Sequence, residues 1–272
     1  MNMSRPVALV TGASSGIGKA ASLALLEAGF EVVGTSRNSS RVTDRDRVTF
    51  LDLDVTSDES VSTVVQQVIE RFGRLDVLVN NAGTGAAGAA EESSVAQDQH
   101  VFDINFFGLV RMTKAVLPHM RAQSGGGRII NVSSVLGLVP GPYMASYVAT
   151  KHAIEGYSES VDHEVREHGI RVLLVEPGYT KTGLDTNAIQ PDTPLPIYAQ
   201  QRQVFDGVIA NAMAGGDDPA IVAKTIVAAA TDPRPKLRYT PGSTARRVSI
   251  LRRLVPARTF DRQIRKLNHL PA

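Results

Sequence analysis

Three side chains in this 272-residue sequence have types and spacing suited to proton transfer: Ser134, Tyr147 and Lys151. Tyr147 and Lys151 lie four apart in a stretch that reads as helix from Tyr143 through Ala149, Ala153, Ile154 and Tyr157. At that separation the two side chains share one helix face. An isolated phenol titrates near about 10, too high for neutral-pH acid/base work, and a neighbouring ammonium favours the phenolate and lowers that value. The pair alone also fits an ordinary solvated helix face, so its weight depends on the elements that position it.

The N-terminus supplies such an element. Pro6-Val7-Ala8-Leu9-Val10 is a short apolar run, followed at once by Thr11-Gly12-Ala13-Ser14-Ser15-Gly16-Ile17-Gly18 and a helical pattern from Ala20 to Ala28 closed by Gly29. A strand, a glycine-rich turn and a helix N-terminus in that order make an anion site, because the backbone can approach a diphosphate and the first free N–H groups point at it. The same turn is also compatible with a plain tight strand-to-helix connection.

Further motifs fall in a fixed order. Asn80-Asn81-Ala82-Gly83 follows the apolar run Leu75–Val79, and Asn105 lies on the next helix. Asn131-Val132-Ser133-Ser134 ends another strand, and Pro177-Gly178-Tyr179-Thr180-Lys181-Thr182 ends one more. With Ser134 thirteen residues before Tyr147, the set resembles the short-chain dehydrogenase/reductase family over roughly residues 5 to 182, with weaker likeness to about 240.

That resemblance implies roles. Tyr147 would protonate a substrate carbonyl oxygen as a nicotinamide hydride reaches carbon, with Ser134 hydrogen-bonded to the same oxygen. Lys151 would lower the pKa of Tyr147 and hold the nicotinamide ribose, and Asn105 would fix a water beside Lys151. Gly12, Ser14, Ser15, Gly16, Ile17 and Gly18 would cradle the cofactor. Asp54 and Val55 would meet the adenine edge, and Asn81, Ala82 and Gly83 the adenosine ribose side. Pro177, Gly178, Thr180 and Thr182 would lie along the nicotinamide amide and diphosphate. Family members are commonly homo-oligomers, dimers or tetramers.

Cofactor choice rests on the end of the second strand. An NAD enzyme places a carboxylate there for the ribose hydroxyls. This sequence has Ser36 and Arg37 instead, and a guanidinium can grip a 2′-phosphate with paired N–H bonds. The expected cofactor is NADP(H) in preference to NAD(H).

The alternation of strand runs (7–10, 31–36, 48–51, 75–80, 128–132, 171–176) with helical patterns (17–28, 58–72, 97–122, 143–168, 218–230) predicts an α/β fold. It reads as a single doubly wound Rossmann-type domain, a parallel sheet with helices on both faces. Residues 1–240 form the catalytic domain, with 183–216 an irregular substrate loop, and 241–272 a basic helical C-terminal extension. Net charge is only +2, but from Thr231 to Ala272 eleven Lys/Arg face two Asp, leaving +9 there and −7 on the rest. Pro256 divides the extension into Thr244–Val255 and Ala257–Leu267. Such a basic amphipathic stretch can pack on its own body or make peripheral contact with an anionic membrane. Nucleic acid is not an expected partner, since no nucleic-acid fold signature accompanies the charge.

The sequence has no cysteine, so disulfides and thiolate metal sites are excluded. Its six histidines lack metal-ligand spacing, and no metal is expected. Without a signal pattern or a run of about 18 apolar residues, the expected location is cytoplasmic. Ser134 lacks the G-x-S-x-G elbow of a hydrolase, and Glu91-Glu92 read as loop or helix N-terminal charges. Leu136, Tyr143, Met144, Tyr179 and Leu184 are the candidate substrate contacts. They are apolar or aromatic, with no arginine for a substrate carboxylate, which points to a hydrophobic ketone or secondary alcohol. The alternatives are a non-enzymatic NADP(H)-binding sensor or scaffold and an NAD-preferring alcohol or steroid dehydrogenase.

Overall fold

Short β-branched runs bounded by glycine and polar turns become strands buried on both faces, as parallel sheets require. The computed structural model describes residues 5–42, 47–184 and 186–271, with the Arg253 side chain outside the described set. Seven strands, β1 (Val7–Val10), β2 (Glu31–Ser36), β3 (Thr49–Asp52), β4 (Val77–Asn80), β5 (Gly127–Val132), β6 (Ile170–Val175) and β7 (Arg238–Tyr239), pair in the order β3-β2-β1-β4-β5-β6-β7. All pairs are parallel. Register pins the centre, with Val10 opposite Gly34 on one side and Val79 on the other. The chain reverses its direction of growth between β1 and β4, so a crevice opens beyond their carboxyl ends.

Helices cover both faces. The helices α1 (Gly16–Glu27) and α7 (Pro219–Thr231) bury Ala21, Leu25, Val222, Ala223 and Ile226 against one face. On the other, α2 (Asp58–Phe72), α4 (Gly108–Ala122) and α5 (Ala145–Val165) bury Val64, Val68, Met112, Val116, Met120 and Val161. The bounds of α2 follow its capping: the Ser57 hydroxyl accepts from Ser60 N at 3.2 Å, and Gly73 ends the helix at φ 71°.

Four expectations change. Residues 97–122 are not one helix: α3 (Val95–Phe102) and α4 are joined by a single π-helical turn over Asp103–Phe107. The helix expected over 143–168 is α5, which starts at Ala145 and passes into a 3₁₀ turn at Arg166–His168. The stretch 183–216 is not wholly irregular, because it contains α6 (Ala199–Ala214). A seventh strand, β7, was not foreseen. The extension folds as α8 (Ser243–Leu254) and α9 (Ala257–Leu267), split at Pro256.

Candidate active site

The crevice between β1 and β4 is built by backbone that approaches too closely for side chains. Gly12 and Gly16 have φ of 65° and 53°, the left-handed region that favours glycine. A Cβ on Gly18 would strike the Gly12 carbonyl oxygen, and one on Gly16 would come within 3.0 Å of Thr182 Cγ2. Thr11 locks this turn to β4: its hydroxyl accepts from Asn81 N at 3.0 Å and Ala82 N at 2.9 Å. Asn81 Nδ2 donates back to the carbonyls of Thr11 and Gly12 at 2.9 and 3.0 Å. Ser14 and Ser15 are exposed, and Ser15 precedes α1 without capping it by its own side chain. A bare helix N-terminus under a glycine turn, with Thr182 at its lip, fits a dinucleotide diphosphate. Ile17 is half-buried and packs into the core beneath.

The second-strand end is open. The Ser36 hydroxyl accepts from Asn38 N at 3.1 Å, and Arg37 is exposed. Asp54 holds Thr56 through N–H and hydroxyl at 2.9 and 2.7 Å. Those bonds, with help from the nearby Arg37 and Arg111 charges, keep its carboxyl below the ordinary value. Val55 is buried against Gly108 of α4.

Across the crevice, Ser134 follows β5 by two residues and α5 presents Tyr147 and Lys151, all three buried. The Ser134 hydroxyl faces the Tyr147 phenol and accepts from Leu136 N at 3.1 Å. Lys151 Nζ lies 5.5 Å from the Tyr147 ring centroid and donates to the Val132 carbonyl at 3.0 Å. A polar chain fixes these elements: Asn80 Nδ2 donates to Asn131 Oδ1 at 2.9 Å, and Asn131 Nδ2 to Ser158 Oγ at 2.8 Å.

The expected lowering of the Tyr147 pKa is corrected. Burial pushes the phenol up to about 12, opposed by the Ser134 hydroxyl, and Tyr179 adds to the rise. Lys151 is itself driven down to about 8 by burial, partly opposed by Glu155. Desolvation outweighs the attraction between phenolate and ammonium in this pocket. The Asn105 side chain is held by direct bonds. Its Oδ1 accepts from Thr84 N at 2.8 Å, while Nδ2 donates to Thr84 O at 2.9 Å and Thr150 Oγ1 at 3.3 Å. The amide braces the Gly83–Thr84 loop from the π-helical turn; no contact with Lys151 is seen among the described residues.

A family model described as short chain dehydrogenase matches residues 6–192. The chain belongs to the short-chain dehydrogenase/reductase family. It is 45% identical over 185 residues, 68% of each chain, to the 3-ketodihydrosphingosine reductase of Bacteroides thetaiotaomicron. A short-chain dehydrogenase from Streptomyces avermitilis superposes with TM-score 0.82 at 36% identity, covering 97% of this chain and 99% of that one. A Burkholderia phymatum relative solved with NAD has TM-score 0.81 at 26% identity, covering 97% and 96%. ElxO, solved with NADP, has TM-score 0.72 at 28% identity, covering 87% and 97%. This short-chain dehydrogenase/reductase is an oxidoreductase acting on CH–OH groups.

The remaining wall of the dehydrogenase site is a lid. Pro177 O accepts from Val135 N at 3.0 Å, and Gly178 sits beside Ala245 of α8. Thr180 is buried with its hydroxyl on Gly178 O, while Tyr179 and Leu184 are exposed at the rim. Leu136 and Met144 flank Gly141, and Tyr143 takes φ 60°, unusual for a tyrosine. Gly88 N donates to Tyr143 O at 2.9 Å, and the Tyr143 ring lies 5.8 Å from Phe205 and 6.3 Å from Tyr198. Phe205 and Tyr198 were missed because 183–216 read as loop. Glu92, read as a loop charge, is fully buried: it accepts from Ala89 N at 2.9 Å and Leu195 N at 2.7 Å and pairs with Arg202 of α6.

Proposed function

We propose that this enzyme interconverts a hydrophobic ketone and a secondary alcohol with NADP(H), Tyr147 acting as general acid in reduction and base in oxidation. The burial of Ser134, Tyr147 and Lys151 together, with Lys151 Nζ 5.5 Å from the Tyr147 ring centroid, carries the reading. NADP(H) supplies or accepts the hydride when bound. Ser134 orients the substrate oxygen, and the buried phenol stays protonated at neutral pH, as a proton donor must. Lys151 holds the nicotinamide ribose hydroxyls and stabilises the phenolate left after transfer. The Gly12–Gly18 turn with Asn81, Ala82, Gly83, Pro177, Gly178, Thr180 and Thr182 forms the cofactor cradle. Arg37, exposed beside Ser36, supports NADP(H) over NAD(H). Asp54 and Val55 stand at the adenine edge.

Leu136, Tyr143, Met144, Tyr179 and Leu184, joined by Tyr198 and Phe205, support an apolar substrate, as does likeness to a reductase of a sphingoid ketone. Exposed Phe107 on the π-helical turn and Val95 on α3 suit a subunit contact in a homo-oligomer. The extension supports peripheral membrane contact. Ala245 of α8 is buried and Arg252 Nε donates to Leu138 O at 3.1 Å, whereas Ile250, Leu251 and Leu254 emerge from the opposite face. Exposed Arg246 borders that outward apolar face and exposed Arg247 lies on it, placing cations where a helix on anionic lipid would use them. Among the described residues, no helix is long and apolar enough to cross a membrane.

The test is turnover across ketone classes with each cofactor. A hydrogen bond to a charged group is worth about 1.5–3 kcal/mol, so NADPH should lead NADH in kcat/KM by about 10- to 100-fold. Replacing Ser36 with Asp and Arg37 with a neutral residue should invert the preference. A wild type that prefers NADH would refute the role of Arg37, and tight NADPH binding without turnover would mark a sensor.

A further inference from the structure

The basic extension touches both loops that flank the reacting groups, a link the proposed mechanism does not use. Gly242, at φ 78°, starts α8 so close to Asp217 that a Cβ there would strike the carboxylate. Asp217 is in turn laced to the segment after β6: its N–H donates to Tyr179 O at 2.9 Å, and its carbonyl accepts from Lys181 N at 2.9 Å. In the first turn of α8, buried Ala245 comes against Gly178, whose Cβ, if present, would lie 3.9 Å from that of Ala245. Arg252 follows seven positions later, two turns on and therefore on the same face. Its Nε donates to the Leu138 carbonyl at 3.1 Å, in the loop after β5.

Leu138 closes a 3₁₀ turn over Val135–Gly137 that Ser134 opens. The last carbonyls of a helical turn have no partner within it, and Arg252 satisfies one of them. At the other end the Ser134 hydroxyl accepts from Leu136 N at 3.1 Å, so the placement of that N–H decides how the hydroxyl is turned. Val135 N donates to Pro177 O at 3.0 Å, which ties this turn to the loop after β6. The guanidinium is held as well: its carbon lies 5.2 Å from the ring centroid of Phe260, carried on α9 beyond the break at Pro256.

We propose that Arg252 is a positioning residue for the reaction: by holding the Leu138 carbonyl it braces the turn that orients the Ser134 hydroxyl. The C-terminal extension thereby completes the active site. Arg252 acts through Ser134 rather than on substrate or cofactor. The inference rests on Ser134 orienting the substrate oxygen, as proposed above.

The test is a double-mutant cycle on the full chain, in vesicle-free buffer, with NADPH and a turned-over ketone. The net worth of one exposed hydrogen bond corresponds to about three- to tenfold in rate, so Arg252→Ala should lower kcat by about that factor and leave the NADPH dissociation constant in place. In a Ser134→Ala background the same substitution should lower kcat no further, because residues that act through one another are not additive. Arg252→Lys, which keeps a cationic donor, should recover most of the loss. Arg262→Ala removes the same charge from α9 and should leave kcat at the wild-type level. Should Arg252→Ala fold poorly, Phe260→Leu, which frees the guanidinium, should show a smaller loss with the same dependence on Ser134. Equal loss in both backgrounds, no loss at all, or a rise in KM at unchanged kcat overturns the bracing role and leaves the reading of Ser134 intact. A Ser134→Ala enzyme as active as the wild type would overturn both.

Discussion

The sheet-end machinery up to Thr182 and the stretch from Gly183 to Gly216 are held by different forces. Around the crevice, polar side chains meet buried partners: Thr11 with Asn81 and Ala82, Asn80 with Asn131, Asn131 with Ser158. Each such bond joins two elements, so the reacting groups have little freedom. From Gly183 to Gly216 the chain is tied to the body by separate contacts at its surface, Ser94 with Asp192 and Gln97 with the Gln190 carbonyl among them. Ile189 bonds to Gly85 and Ala87, Asp217 to Tyr179 and Lys181, and Arg202 to Glu92. Between those points it offers aromatic rings and exposed aliphatic side chains. Chemistry here depends on fixed polar geometry, and selection on adaptable apolar surface. Damage to the first region should therefore appear in kcat and cofactor affinity, and damage to the second in KM, stability or partner binding.

The largest of the graded effects belongs to the first region. Lys151→Met should lower kcat by at least about 10²-fold and weaken NADPH binding, since one side chain serves both. The same variant carries a stability signature. The Lys151 value falls from 10.5 unfolded to about 8 folded. Between those values the unfolded chain binds more protons, so burial of the ammonium costs stability below pH 8, and the cost fades as pH rises toward 10.5. Denaturant titrations should accordingly show any advantage of Lys151→Met over wild type shrinking from pH 8 to pH 10.5. An advantage that grows with pH would contradict the buried ammonium.

The lid should yield next. Arg202→Ala leaves Glu92 buried without its cation, and with Arg202 itself partly exposed the loss should be about 2 kcal/mol in urea unfolding. KM should rise while kcat changes less. A kcat collapse at unchanged KM would place the lid in the chemistry and blur the contrast between the regions.

Smallest is the effect at α8. Replacing exposed Leu251 and Leu254 with serine should change thermal stability little, because surface substitutions away from packed features stay within about 0.5 kcal/mol. Sedimentation with anionic vesicles should drop in that variant, and binding by the parent should weaken at high salt. Deletion after Pro241 should also lower thermal stability, because Ala245 packs beside Gly178. A parent protein that ignores anionic vesicles would leave α8 with only its inward packing.

What the sequence made legible follows the same division. The Thr11–Gly18 turn, the four-residue step from Tyr147 to Lys151 and the apolar strand runs are local patterns, and each takes its expected place. The π-helical turn at Asp103–Phe107 leaves no mark in apolar spacing. Helix α6 lacks a side-chain cap and buries only Phe205 fully among its residues, so no apolar stripe announces it. The two-residue β7 depends on Arg238 meeting Glu155 and Glu176, partners more than sixty positions away. Glu92 looked like a surface charge because its partner, Arg202, arrives from the lid. The direction of the Tyr147 shift escaped for a related reason: spacing reveals the neighbouring ammonium, whereas burial depends on the whole fold.

The central claim is that Tyr147 moves the proton. A positioned general acid contributes about 10²- to 10⁴-fold, so Tyr147→Phe should retain its fold and NADPH affinity while kcat falls by at least about 10²-fold. The decisive measurement is kcat of purified Tyr147→Phe with NADPH and a turned-over ketone, beside its NADPH dissociation constant. Loss of turnover with binding intact is the expected result; turnover near that of the wild type would contradict the assignment.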